Sequence, residues 1–155
     1  MTAEMSTMPR NALLVALEMA ERQRDAARRG LHDAQAGALA AQEQMAQLET
    51  YAAETDARWG MRANACVAPE VLFHHRHFMG RLEHAMHLQA RVLADHAQRV
   101  AGSERALLAA QVRLATLKKL VAKRQRELEQ QQHRREQKQT DERAMLALRP
   151  RHDEY

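Results

Sequence analysis

Aromatic side chains are nearly missing from this chain: two Phe, two Tyr and one Trp in 155 residues. Without such fillers a compact globule of this length has little to build a broad core from. Gly totals five and Pro three, too few to punctuate a fold of many turns. The single cysteine, Cys66, has no internal partner for a disulfide. No apolar run approaches the roughly 18 residues of a membrane span, and none resembles a secretory leader, so a cytoplasmic setting is expected. What is present is an apolar share of 45%, carried mostly by Ala, Leu and Met, all strong helix formers. This is the composition of long helices with narrow seams.

The net charge of +4 is unevenly spread. Residues 1 to 56 carry 5 basic and 9 acidic side chains, net −4; residues 57 to 117 carry 8 and 4, and residues 118 to 155 carry 11 and 7, each net +4. An acidic arm followed by a basic one favours antiparallel pairing, with flanking charges helping to set the register.

Apolar residues recur at alternating steps of four and three along both arms, the signature of a coiled-coil seam. In the first arm, with Asn11 as N-cap after Pro9, the seam runs Leu13, Leu17, Ala20, Arg24, Ala27, Leu31, Ala34, Ala38, Ala41, Met45, Leu48 and Ala52. Arg24 is its one polar member, and its many alanines imply close helix axes. The pattern fails where Trp59, Gly60, Asn64, Cys66 and Pro69 crowd together, which marks a turn. Pro69 and Glu70 suit the first turn of a second helix. Its seam includes Leu72, Met79, Leu82, Met86, Leu93, Val100, Leu107, Leu114, Leu117, Val121 and Leu128, with His75, Gln89, His96, Ser103 and Arg124 as polar interruptions. The spacing therefore predicts an all-α single domain over residues 1–155, an antiparallel coiled-coil hairpin. Helix 1 spans about 11–56, the turn 57–69, helix 2 about 70–148 and a short tail 149–155. Folding at position 64 sets Leu13 opposite Ala115 and leaves residues beyond about 118 as a C-terminal overhang without an intramolecular partner. A polar helix alone is marginal in water, so this basic overhang is expected to meet another protein.

Three segments carry a resemblance to a known family: LETYAAE at 48 to 54, FMGRLEHAMHLQ at 78 to 89 and QKQTDERA at 137 to 144. Within them, the run Phe78, Leu82, Ala85, Gln89 and the cluster Lys138, Asp141, Glu142 are the more specific features. Together with the heptad hairpin, they make the chain resemble the FliJ family of the flagellar type III export apparatus, related to YscO of injectisomes, over nearly its whole length. One departure is Thr55, where the family often carries a second tyrosine. The resemblance implies a non-enzymatic stalk inserted in a hexameric export ATPase, linked to the cytoplasmic domain of the export gate membrane protein and escorting export chaperones. Membrane association would then be peripheral, through partners. It implies gate binding by Phe78, Leu82, Ala85 and Gln89. ATPase binding would fall to Leu13, Leu17, Val121, Arg124, Leu128, Lys138, Asp141 and Glu142.

Other chemistries have weaker support. His74, His75, His77, His84 and His87 include pairs at i, i+3, yet no nearby cysteine completes a tetrahedral metal set, so a solvated surface is the simpler reading. The basic run from Lys118 to Lys138 is diluted by Glu127, Glu129 and Glu136 and follows the heptads, whereas in basic-zipper proteins it precedes them; no nucleic acid is expected. No nucleophile with a positioned base and no glycine-rich phosphate loop occur, so neither catalysis nor a cofactor is expected. The alternative within structural proteins is a generic coiled-coil spacer or homodimeric scaffold.

Overall fold

The computed structural model describes residues 9–62 and 67–150. They form an all-α pair: α1 spans Arg10–Arg62 and the longer α2 spans Pro69–Ala147, packed antiparallel. At 1.5 Å per residue these helices measure about 80 and 120 Å. Among the described residues there is no strand, no cis peptide and no positive φ.

Both starts follow local chemistry. The Pro9 carbonyl accepts from the Leu13 amide at 3.1 Å, so α1 begins at Arg10 and Asn11 lies inside its first turn rather than capping it. Ala68 accepts from Val71 and Leu72 at 3.1 and 3.2 Å, which places Pro69 at the first helical position, where a missing N–H costs nothing. Glu70 lies in that first turn, favourable to the helix dipole. At the far end Leu148 donates to the Ala144 carbonyl at 3.1 Å, and α2 has stopped before Pro150.

The expected turn is too wide. Trp59 and Gly60 belong to α1, which continues to Arg62, because Trp59 finds a packing partner: its ring stacks on His75 at 4.1 Å between centroids, 7° from parallel. Asn64 and Cys66 lie outside the described residues. The register moves accordingly. With α1 ending at Arg62 and α2 starting at Pro69, the connection centres between positions 65 and 66 rather than at 64. Trp59 therefore faces His75 instead of Pro69. Gln89 reaches Ala41 and Gln44, while Leu39, its partner in the expected register, stays 56% exposed.

Packing divides the chain into two units. One comprises the segments up to Arg22 and from Gln111 onward; its core is Leu13, Ala20, Leu114 and Leu117, with Ala16, Leu17, Leu120 and Val121 packed around it. The other, Gln23–Ala110, contributes Ala41 and Leu82 as buried positions along a thinner seam. Its alanines let polar side chains lie across the interface. Gln89 donates to the Ala41 carbonyl at 2.9 Å and to Gln44 Oε1 at 3.2 Å, and the His96 ring lies against Gly37. Arg24, part-buried, pairs with its neighbour Asp25 at 3.0 Å. Within the 23–110 unit, among the described residues, the opposite charges of the two helices form no interhelical ion pair, and Arg24–Asp25 is the ion pair there.

Candidate functional site

In the unit built on Leu13 and Leu117, the seam runs out at the start of α1. Past that point α2 continues without cover: every residue from Gln125 to Pro150 is exposed. Where pairing ends, the helices leave a groove of about 320 Å³ lined by Arg10, Leu13, Leu14, Val121, Arg124, Gln125, Glu127, Leu128 and Gln131. Its floor is apolar. Leu14 and Leu128 are each 41% exposed, and such apolar surface at the mouth of a groove suits an incoming side chain. The rim is polar, with Arg10 Nη2 donating to Gln125 Oε1 at 3.4 Å and Gln125 Nε2 donating to Glu129 Oε1 at 3.3 Å.

Of the residues expected to meet a partner here, Leu13, Val121, Arg124 and Leu128 are brought together in this groove. Leu17 lies one turn further along, packed against the core, and Leu13 is itself only 2% exposed, so both serve the helix pair first. Lys138, Asp141 and Glu142 lie on the uncovered part of α2, outside the groove. Sequence reasoning missed Arg10, Leu14, Gln125, Glu127 and Gln131. Arg10 follows the helix-starting Pro9, and Leu14 and Gln125 each sit one place beyond a seam position, so a seam-only reading passes over them. Beyond the groove, Met145, Leu146 and Leu148 are 72%, 64% and 82% exposed, an apolar tip on a polar helix.

The second stripe lies in the 23–110 unit and divides between two tasks. Leu82 is 8% exposed and Gln89 is engaged with Ala41 and Gln44, so both face α1. Phe78 and Ala85 lie on the flank. The Phe78 ring meets Tyr51 edge to face, with centroids 5.9 Å apart and planes at 81°. Both rings keep solvent contact, at 37% and 52% exposure, beside a shallow depression lined by Gln44, Gln47, Leu48, Tyr51 and Gln89.

The histidines do not converge. His75 stacks on Trp59, whereas His74 and His77 accompany Phe73, with centroids at 5.9 and 6.3 Å. Among the described residues no group of three or more His, Cys, Asp or Glu is placed to hold a metal ion. Nor is any of their helices long and apolar enough to cross a membrane.

No curated protein and no solved structure gives a significant match to the chain. The family model described as "Flagellar FliJ protein" matches residues 10–152, which takes in both helices, the groove and the Phe78 stripe. On that coverage the chain belongs to the FliJ family of flagellar proteins.

Proposed function

We propose that this chain is a non-enzymatic stalk of the flagellar type III export apparatus, holding the hexameric export ATPase with the uncovered end of α2 and the groove at its root. The observation that carries this reading is the length of α2 that runs on, exposed, past the start of α1. From Gln125 to Ala147 a helix persists with every side chain exposed, and an isolated polar helix has little to stabilise it in water. A protein that encloses this segment supplies the missing contacts. Leu128, Leu14 and Arg10 would then meet the ATPase at the entrance, and Lys138, Asp141 and Glu142 further in.

The Phe78 and Ala85 flank is the candidate surface for the cytoplasmic domain of the export gate, with Tyr51 as a neighbour. Escort of export chaperones belongs to the same reading, and so does a peripheral place at the cytoplasmic face of the membrane, reached through these partners. The test removes residues 129–155 and measures hydrolysis by the partner hexamer. The truncated protein is expected to keep the helicity of the remaining pair, since the Leu13–Leu117 core lies entirely within it, and to lose stimulation of the ATPase. Stimulation equal to that of the full chain would overturn the stalk reading.

A further inference from the structure

The two helices of the 23–110 unit carry opposite charges that they do not use on each other. Between positions 30 and 57, α1 has five carboxylates, Asp33, Glu43, Glu49, Glu54 and Asp56, no Lys or Arg, and every one of the five is exposed. Between 70 and 94, α2 carries Arg76, Arg81 and Arg91 and four exposed histidines, against Glu70 and Glu83. The heptad positions decide where these groups point. Phe73, His77, His84 and Arg91 follow one another at steps of four, seven and seven, opposite the seam, and form the middle of the outward face of α2. On α1 the outward face holds Asp33, Glu43 and Glu54, with Ala36 and Ala40 between them.

The α2 face is also shaped. A Cβ at Gly80 would meet nothing within 4 Å, and that gap floors a shallow depression rimmed by Arg76, His77, Arg81 and His84. A second depression shares His84 and adds His87, Leu88 and Arg91 around Ala90 and Ala94. Small floors with arginine rims suit a helix that brings carboxylates on one side. Guanidinium groups donate two parallel N–H bonds to a carboxylate, and imidazole rings add N–H donors.

We propose that this outward face of α2 docks the acidic outward face of α1 from a second copy of the chain. A phosphate polymer would satisfy the arginines alone, whereas a second copy matches both faces, including the alanines that let two helices approach closely. Because the faces are different surfaces turned away from each other, the contact is heterologous and adds copies side by side. Being built on exposed charge, it is screened by salt.

The experiment is sedimentation of the full chain over a range of concentrations, at about 50 mM and about 500 mM salt, where the screening length falls to a few ångströms. The expected result is a mass that grows with concentration in low salt and reverts in high salt. Arg81→Glu with Arg91→Glu, and separately Glu43→Lys with Glu54→Lys, should each weaken self-association tenfold or more with unchanged helicity, since all four side chains are exposed. Mixing the two variants should restore it, because each then offers what the other lacks. A single mass at both salts overturns the proposal. So does association that ignores the charge reversals, or a mixture that fails to recover. Salt-sensitive binding of duplex DNA at Arg81 and Arg91 without any self-association would give the face to a polyanion instead.

Discussion

Individual residues differ sharply in what they contribute, and the glycines show this most directly. Gly30, Gly60 and Gly80 stand in helices with open space where a Cβ would go, so each costs helix stability without giving a contact. Gly37 is different: a Cβ there would come within 3.1 and 3.2 Å of the His96 ring, which must then move by a few tenths of an ångström. Replacing Gly30 with Ala should therefore stabilise the chain by about 1 kcal/mol, visible as a rise of a few degrees in Tm. Gly37→Ala should show less of that gain or none. Adding His96→Ala to Gly37→Ala should release the withheld part, so a double-mutant cycle in urea gives a coupling of about 0.5 kcal/mol or more. Equal gains at positions 30 and 37 would mean that His96 does not hold the slot. The polar interruptions at Gln89 and His96 were legible as breaks in the seam. Their partners were not, because which alanine or glycine lies opposite depends on where the chain turns, and the heptad alone leaves that open.

At the scale of the helices, the four-and-three spacing located the buried face well because a coiled-coil seam is a property of one helix at a time. Leu13, Ala20 and Ala41 on α1, and Leu82, Leu114 and Leu117 on α2, are the buried positions, and all six lie on the seam read from the sequence. Leu128, also on that seam, is exposed because it lies beyond the pairing with α1. The turn was harder to read, since Trp59 and Gly60 look like helix breakers until Trp59 is seen stacked on His75. Two leucines only nine residues apart make the seam testable. Leu117 is fully buried, so Leu117→Ala removes packed methyl groups and should cost about 2–5 kcal/mol. Leu108 is 61% exposed on the outside, and Leu108→Ala should stay within about 0.5 kcal/mol of the parent. Urea midpoints for the two variants, compared at constant slope, decide the matter. A loss at Leu108 as large as at Leu117 would place the wrong face inside.

At the scale of the whole molecule, the ATPase and gate contacts proposed for this FliJ-family chain fall in different packing units. The ATPase-facing groove and uncovered helix belong with Leu13 and Leu117, and the Phe78 flank belongs to Gln23–Ala110. Changes in groups that share no partner add independently, so each contact can be removed while the other is kept. Phe78→Ala with Ala85→Asp should lower affinity for the gate domain tenfold or more and leave ATPase stimulation at the parent level. Some stability is lost as well, since Phe78 packs edge to face on Tyr51, and such ring pairs are worth about 0.5–1.5 kcal/mol. That loss alone must be told apart from a lost binding surface. Met79→Ala provides the comparison: Met79 is half-buried on the seam beside Phe78, and its truncation weakens the helix pair without altering the flank. Measured well below either melting temperature, Met79→Ala should bind the gate domain as the parent does despite a comparable fall in Tm. If gate affinity instead follows Tm through both variants, Phe78 acts by holding α1 and α2 together, and the gate must be met elsewhere.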